Sequence, residues 1–481
     1  MTSVSLAATP KPMSRIIADP IHGDVQLSDE EFGVINTGSF QRLRSLKQLG
    51  MAHLTYPNAT HTRFAHSIGV LATMGRILRQ VQDSEAIRIS PEQRAELRLA
   101  ALLHDVGHYP YSHLMEGVDR VILTEERVVQ HGKSTISTSS PYPNHQEVGE
   151  LIATTQADLI SSLGGKERAQ TIAAIFCRHE TTNAQLSKLI HSSFDMDRID
   201  YLLRDARATG VPYGTIDINY LLSHVRMSAS GMLGVERKAL VAVEHFLLAR
   251  FFMHKAVYYH KTTFGLEECC RQLLRRIRDM DPGGHKYGVP ANGDEVRKIV
   301  QGPEVANFND AFVDRVINLA VGDDNLVVRS LASAIFQRRP PKLIKEVAVL
   351  EEVGKQPHAG TVFFQNCRYQ VADLAKKHGI ELGCFLICEH KPLKFEARPR
   401  LLNAPEARNL SSNEREEVIM IFNDSAEPVP IVDLGRSIVQ PLSQFFYQTS
   451  RLYLVMPDDW KPEQFDSAVK ALRRATQGWE S

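Results

Sequence analysis

Leu99-Ala-Ala-Leu-Leu-His-Asp-Val-Gly-His108 decides how this chain is read. An apolar run leads into a histidine–aspartate pair, and Gly107 and Pro110 then stop the helix that the run forms. The spacing puts His104 and Asp105 near the helix C-terminus, with His104 and His108 on one face if the helix persists. Neighbouring helical residues point about 100° apart, so His104 and Asp105 can flank one ion without enclosing it. A metal site here needs ligands from other helices.

Working outward, the segments Thr62–Val81, Glu92–Leu103, Ala169–Arg178, Asp195–Arg207 and Val241–Lys261 carry apolar residues at three- and four-residue spacing. The expected fold is mainly α. A polar, proline-punctuated tail over residues 1–12 precedes a helical domain spanning 13–337. Gln337-Arg-Arg-Pro-Pro-Lys342 breaks the rhythm, because consecutive prolines cannot sit inside a helix. Beyond it, Glu417–Phe422 and Leu452–Met456 read as strands, and Tyr369–His378 and Pro462–Thr476 as helices. Residues 338–481 are therefore expected to form a smaller α+β lobe. The Ser/Thr-rich stretch His131–Pro143 reads as a surface loop.

Composition narrows the function classes. Lys+Arg and Asp+Glu both number 56, so no global field draws the chain to polyanions or membranes, and phosphate binding has to come from a local cluster. Six scattered cysteines do not make a disulfide framework, which favours a reduced, cytoplasmic setting. No apolar run approaches the ~20 residues that span a bilayer, and the N-terminal stretch has no apolar segment of signal-peptide length. Of 19 histidines, 15 lie in the first 260 residues, which is where metal ligands and proton shuttles would be sought.

Two segments supply what the His104–Asp105 pair lacks. His61-Thr-Arg-Phe-Ala-His66 opens a helix whose core side is Phe64, Ile68, Leu71 and Met74, with Arg63 and His66 sharing another face. Phe194-Asp-Met-Asp-Arg-Ile-Asp-Tyr-Leu-Leu-Arg-Asp205 places Asp197, Tyr201 and Asp205 at i, i+4 and i+8, opposite Ile199, Leu202 and Leu203.

His66, His104–Asp105 and Asp197 match in order and spacing the H…HD…D pattern of the HD-domain phosphohydrolases. Asp19-Pro-Ile-His-Gly23, Phe40-Gln-Arg-Leu-Arg44, Lys47-Gln-Leu-Gly50, Arg63-Phe-Ala-His66, His104-Asp-Val-Gly-His108 and Tyr111-Ser-His113 resemble one branch, the deoxynucleoside triphosphate triphosphohydrolases. The similarity is to the catalytic core of that branch, without the N-terminal sterile alpha motif of its animal member. It covers roughly residues 14–340 strongly and the remainder weakly.

The resemblance implies a divalent transition metal (Fe, Mn, Zn, Ni or Co) on His66, His104, Asp105 and Asp197, with Mg²⁺ or Mn²⁺ accompanying the nucleotide. Such an ion polarises a phosphoryl oxygen or lowers the pKa of water. His145 falls where the family places its acid/base histidine, and His108 and His113 where phosphates are contacted. If an acid orients His145, its partner is Glu116 or Glu147. Arg63, Arg198, Arg250 and Lys261 are the candidate phosphate cations, and Arg250, His254, Tyr258 and Lys261 recur along one expected helix. Tyr201 and Tyr258 are implied to lie along the substrate. Gln48 and Leu49 match sugar-contacting positions, with Leu49 crowding a 2′-hydroxyl and Asp205 near the 3′-hydroxyl.

Relatives bind an activating nucleotide through an acid, a glutamine and an arginine; Asn36, Gln41 and Arg44 stand there in this chain. Asn36 can accept only one of the two guanine-edge donors that a carboxylate takes, and Glu236 replaces a basic residue while Lys238 keeps its charge. Guanine-nucleotide activation is thus disfavoured. The leading expectation is a homo-oligomeric, metal-dependent dNTP triphosphohydrolase without membrane attachment. The alternative is an HD phosphodiesterase or nuclease acting on another nucleotide or on single-stranded nucleic acid. Zero net charge and the lack of aromatic-interleaved basic stretches weigh against nucleic acid as the main partner.

Overall fold

The computed structural model describes residues 15–82, 88–119, 140–177, 189–190, 194–228, 233–281, 283–352, 358–395, 419–423 and 426–479. The expected tail over 1–12 and most of the expected His131–Pro143 loop lie outside them, as do Arg178, Glu417 and Val418.

The fold is mainly α. The helices that build the site are α1 (Arg63–Gln82), α2 (Pro91–Leu103), α3 (His145–Thr155), α4 (Met196–Thr209), α5 (Leu240–Met253), α6 (Lys261–Met280) and α7 (Asp310–Ala320). α1 buries Phe64, Ile68, Leu71 and Met74, the face that the spacing marked. These side chains join one core with Leu102 of α2, Leu202 of α4, Phe246 of α5 and Leu273 of α6. Each fully buried aliphatic contributes about 1.5–3 kcal/mol relative to exposure, so this convergence is what brings the polar faces of α1, α2 and α4 together.

Local chemistry fixes the helix starts. Ser90 and Gln93 form a capping box before α2, Asp195 caps α4 by accepting from the Arg198 N–H, and Asn144 caps α3 by accepting from the N–H groups of Gln146 and Glu147. His145 is therefore the first residue of its helix, and Asn144→Ala would release it for about 1 kcal/mol.

Two expectations about helix extent are corrected. α2 ends at Leu103, and residues 104–107 form turns closed by Val106 N–H to Leu103 O and His108 N–H to Asp105 O. His104 and His108 do not share a helical face. The cause is buried Arg42, which donates to the carbonyls of Val106 (2.6 Å) and His108 (2.9 Å) and so holds the segment off the helical path. The stretch Val241–Lys261 is likewise not one helix. After α5 it widens into a π turn over His254–Tyr258, and extended His260 caps α6 by accepting from Thr262 N–H at 3.3 Å. Lys261 thereby leaves the row of Arg250, His254 and Tyr258.

Ten strands accompany the helices among the described residues. β1 (Arg15–Asp19) and β2 (Gly23–Leu27) form an antiparallel hairpin with Asp19 opposite Gly23. β3 (Val225–Met227), β4 (Leu233–Glu236), β8 (Met420–Asn423) and β9 (Ala426–Pro430) form a sheet in that order, with β4 parallel to β8. β10 (Phe445–Leu454) is the spine of the other sheet, flanked by β5 (Lys342–Glu352) on one side and by β6 (Phe385–Glu389) and short β7 (Leu393–Lys394) on the other. No helix among the described residues is long and apolar enough to cross a membrane.

Candidate active site

α1, the end of α2 and the first turn of α4 bring His66, His104, Asp105 and Asp197 to one point. Nε2 of His66 lies 3.0 Å from Asp197 Oδ1 and 3.7 Å from Asp105 Oδ2. Nε2 of His104 lies 3.3 Å from Asp105 Oδ1 and 3.8 Å from Asp197 Oδ1. The opposite ring nitrogens are committed: His66 Nδ1 donates to Asp200 at 2.8 Å, and His104 Nδ1 donates to the Ala101 carbonyl at 2.8 Å. Both Nε2 atoms are buried and lack a hydrogen-bond partner. Burial opposes the charged form, but the facing carboxylates raise both imidazoles, and the same Nε2 atoms and carboxylate oxygens form the donor set that a divalent cation would use. Ligand atoms of His66, His104 and Asp105 lie within 4.8 Å of one another, and Asp197 Oδ1 adds a fourth donor. Two imidazoles and two carboxylates suit a divalent transition ion.

Arg63 frames this cluster. Its guanidinium donates to Asp105 and, through Nε, to Ser112 Oγ at 2.9 Å. Burial alone would raise the Asp105 carboxyl, but Arg63, His104 and His108 hold it well below the usual range, so it is ionised. Tyr111 and Ser112 both adopt left-handed backbone (φ 51° and 59°), uncommon for non-glycine residues. Asp310 at the start of α7 supports that turn, accepting the Tyr111 N–H at 2.7 Å and the Lys47 N–H at 2.9 Å.

Beside it lies a second group. His108 and His145 stack at 4.4 Å with 13° between their planes, and His113 sits edge-on to both. Gly107 permits this, since a Cβ there would lie 2.0 Å from the His145 carbonyl oxygen and 2.2 Å from Gly149 N. Buried Glu116 accepts from His113 Nδ1 at 2.7 Å and from His145 Nδ1 at 3.4 Å. Of the two acids expected beside His145 it is thus Glu116; Glu147 accepts from Asn144 instead. Burial would raise Glu116, but the two imidazole donors outweigh it and keep the carboxyl ionised. Burial and then Arg63 push His108 well below the ordinary imidazole value, so its ring is neutral near pH 7. The ligand atoms of His108, His113 and His145 also lie within 4.8 Å of one another. Nearly parallel stacked rings, however, aim their lone pairs side by side and not at a common ion.

The other expected contacts divide. Asp205 accepts from His61 Nε2 and from the Tyr258 hydroxyl, both at 2.7 Å, and Tyr258 meets Tyr201 edge-on at 6.2 Å. Arg198 and Arg250 both bear electrostatically on Tyr201 and His254, so they share one neighbourhood. Arg250 also donates to the Phe395 carbonyl at 2.7 Å. Gln48 and Leu49 follow Lys47, which bridges antiparallel to Thr62, with Gln48 N–H donating to His61 O at 2.9 Å and Gln48 Oε1 buried without a partner. Lys261 stands apart, exposed at the start of α6, and its charge is felt by His260. Of the activator candidates, Arg44 lies over the Phe64 ring and donates to Gln41 at 2.7 Å, Gln41 donates to Ile35 O, and exposed Asn36 follows Ile35 directly. Lys238 lies elsewhere, after β4, paired with Glu236 at 2.8 Å. Sequence reasoning missed Asp200, His61 and Arg42; all three sit inside or beside quoted motifs, but their partners are remote in sequence.

The HD domain matches residues 63–205 and the HD-associated region residues 216–282. The chain thus contains an HD domain followed by an HD-associated region. It is 32% identical to an uncharacterized protein of Methanocaldococcus jannaschii over 254 residues, 52% of this chain and 46% of that one. It is 30% identical to the deoxynucleoside triphosphate triphosphohydrolase SAMHD1 homolog of Dictyostelium discoideum over 257 residues, 53% of this chain and 48% of that one. The matched stretch thus spans about half the length of these relatives. Among solved structures, a phosphohydrolase from Bacteroides thetaiotaomicron superposes with a TM-score of 0.66 at 21% identity, covering 92% of this chain and 99% of that one, which bears on the fold.

Proposed function

We propose that the chain hydrolyses deoxynucleoside triphosphates at the α-phosphate, releasing deoxynucleoside and intact triphosphate. The observation that carries this reading is the adjacency of two unlike clusters joined by Asp105: a ligand set of His66, His104, Asp105 and Asp197, and a proton-handling set of His108, His113, His145 and Glu116. A divalent ion on the first set supplies Lewis acidity at the phosphoryl oxygen and acidifies water. The likeness of parts of the chain to a dNTP triphosphohydrolase supports the substrate class.

Arg63, Arg198 and Arg250 neutralise the triphosphate, with Lys261 reaching from the α6 start. Water attacks the α-phosphorus as the bond to the 5′-oxygen breaks; one water proton stays with the new phosphate oxygen and the other is released to solvent. His145, its Nδ1 turned to Glu116, donates the proton that the leaving 5′-oxygen takes up. Gln48, Leu49, Tyr201, Asp205 and Tyr258 form the nucleoside side, and His108 and His113 line the phosphate side. The chain works as a homo-oligomer in the cytoplasm. Asn36, Gln41, Arg44 and Lys238 are the positions to test for an activating nucleotide.

The test is to incubate purified protein with Mn²⁺ or Mg²⁺ and each dNTP, singly and in mixtures, and to separate the products. Deoxynucleoside and triphosphate are expected. Pyrophosphate or orthophosphate as the first product would refute the assigned bond. No turnover of any mixture, together with degradation of single-stranded DNA or RNA, would favour a nuclease.

A further inference from the structure

The Asp19–Gly23 turn is far from α4 in sequence, yet its histidine reaches into the shell around the metal ligands. His22 Nε2 donates to Asp200 Oδ1 at 2.7 Å, and Asp200 Oδ2 is the atom that receives His66 Nδ1 at 2.8 Å. Arg204 grips the same carboxylate through Nε and Nη2, both at 2.8 Å, and pairs with Asp19 at 3.0 Å. Asp19 closes the circuit by accepting the N–H groups of Ile21 (2.8 Å) and His22 (2.9 Å). All four side chains are at most 4% exposed. The space exists only because residue 69 of α1 is glycine: a Cβ there would fall 1.9 Å from Asp200 Oδ1. A solvated surface turn has no reason to be wired this way.

We propose that His22 is a positioning residue for the metal centre: through Asp200 it fixes the ring orientation and tautomer of His66, making the N-terminal hairpin part of the metal site. Asp200 has two oxygens and four donors aimed at it. Removing one donor frees the carboxylate to rotate toward Arg204, and His66 then loses the partner that keeps its Nε2 aimed at Asp105 and Asp197. Outer-shell partners of ligating histidines act in this manner, and their loss lowers metal affinity by about 10–100-fold.

The inference rests on the metal reading of the His66 cluster and is tested without nucleotide. Mn²⁺ affinity is measured by competition with a chromophoric chelator for wild type, His22→Ala and His22→Gln, with the melting temperature of each metal-free protein. His22→Ala should bind about tenfold more weakly, while His22→Gln, whose amide N–H can still reach Asp200, should stay within about threefold of wild type. Wild-type affinity in a folded His22→Ala overturns the proposal, as does equal weakening in His22→Gln. Should His22→Ala not fold, Asp19→Asn loosens Arg204 instead; weakened affinity there upholds the proposal and wild-type affinity overturns it. Wild-type protein that takes up no ion overturns the metal reading and this inference together, whereas normal uptake without dNTP turnover counts against the proposed reaction alone.

Discussion

His145 Nδ1 faces Glu116 Oε1 at 3.4 Å, while the same carboxylate takes His113 Nδ1 at 2.7 Å. Glu116 is buried and ionised, so it sets His145 with its Nε2 directed away from the acid and available to a leaving oxygen. Glu116→Gln keeps the shape and removes the charge that stabilises the imidazolium. Turnover should fall by about 10²-fold, within the range of general acid–base contributions, with metal content unchanged. Steady-state kinetics beside metal analysis checks this; unaltered kcat would remove Glu116 from the relay.

Asp197 is the proposed fourth ligand beside His66, His104 and Asp105 and stands in the first turn of α4, where its side chain is 36% exposed. The helix itself is anchored by Met196, Ile199 and Leu202, which are buried. Asp197→Ala should therefore lose tightly bound metal and about 10³-fold or more in turnover, several kcal/mol of transition-state stabilisation, while its circular dichroism stays helical. Wild-type metal content in this variant would sink the ligand assignment.

The parts of the site that sequence disclosed are those whose residue types are improbable on apolar helices. His66, His104, Asp105 and Asp197 stood out because each interrupts or borders a run of core residues. What holds them was invisible for a simple reason. His22 and Asp200 are 178 positions apart, and Arg42 reaches Phe308 across 266, so no local spacing announces either pair. Short, largely exposed β1 carries too little alternation to be recognised. The π turn at His254–Tyr258 defeated the helical period itself, since one widened turn shifts every following side chain and moved Lys261 off its expected row.

Leu49 is half-buried against the core beside Gln48 and just before the turn that meets α6. An apolar wall rejects a hydroxyl sterically and needs no polar partner. Leu49→Gly should open that wall and reduce the preference for dNTPs over NTPs roughly tenfold, the scale of a small apolar contact in a pocket. Competition between dATP and ATP, read as a ratio of kcat/KM values, decides it. An unchanged ratio in a folded variant would place Leu49 outside the sugar site.

His390 joins the strand-rich part of the chain to the helical core, and it does so as a neutral ring. It stacks on Tyr259 with centroids 3.9 Å apart, lies 3.7 Å from Phe264, and accepts from Arg451 Nη1 at 2.9 Å. Arg451 also donates to Tyr259 O at 2.8 Å and to Glu346 at 2.5 Å, so it cannot swing away cheaply. Burial first, then the charges of Arg451 and Arg271, push His390 down to about 2. An unfolded chain takes up that proton near pH 6.5, whereas the folded chain refuses it until far lower pH. The sign follows: the contribution is fully present above pH ~6.5 and is lost progressively as pH falls, by up to about 1.4 kcal/mol per pH unit. Between pH 6.5 and 5 this single ring accounts for about 2 kcal/mol. His390→Leu should be less stable at pH 7, having lost the stack and the Arg451 bond, yet its stability should decline less steeply on acidification. Urea unfolding of both proteins at pH 7, 6 and 5 measures the two slopes, and identical slopes would show that His390 does not govern the acid response.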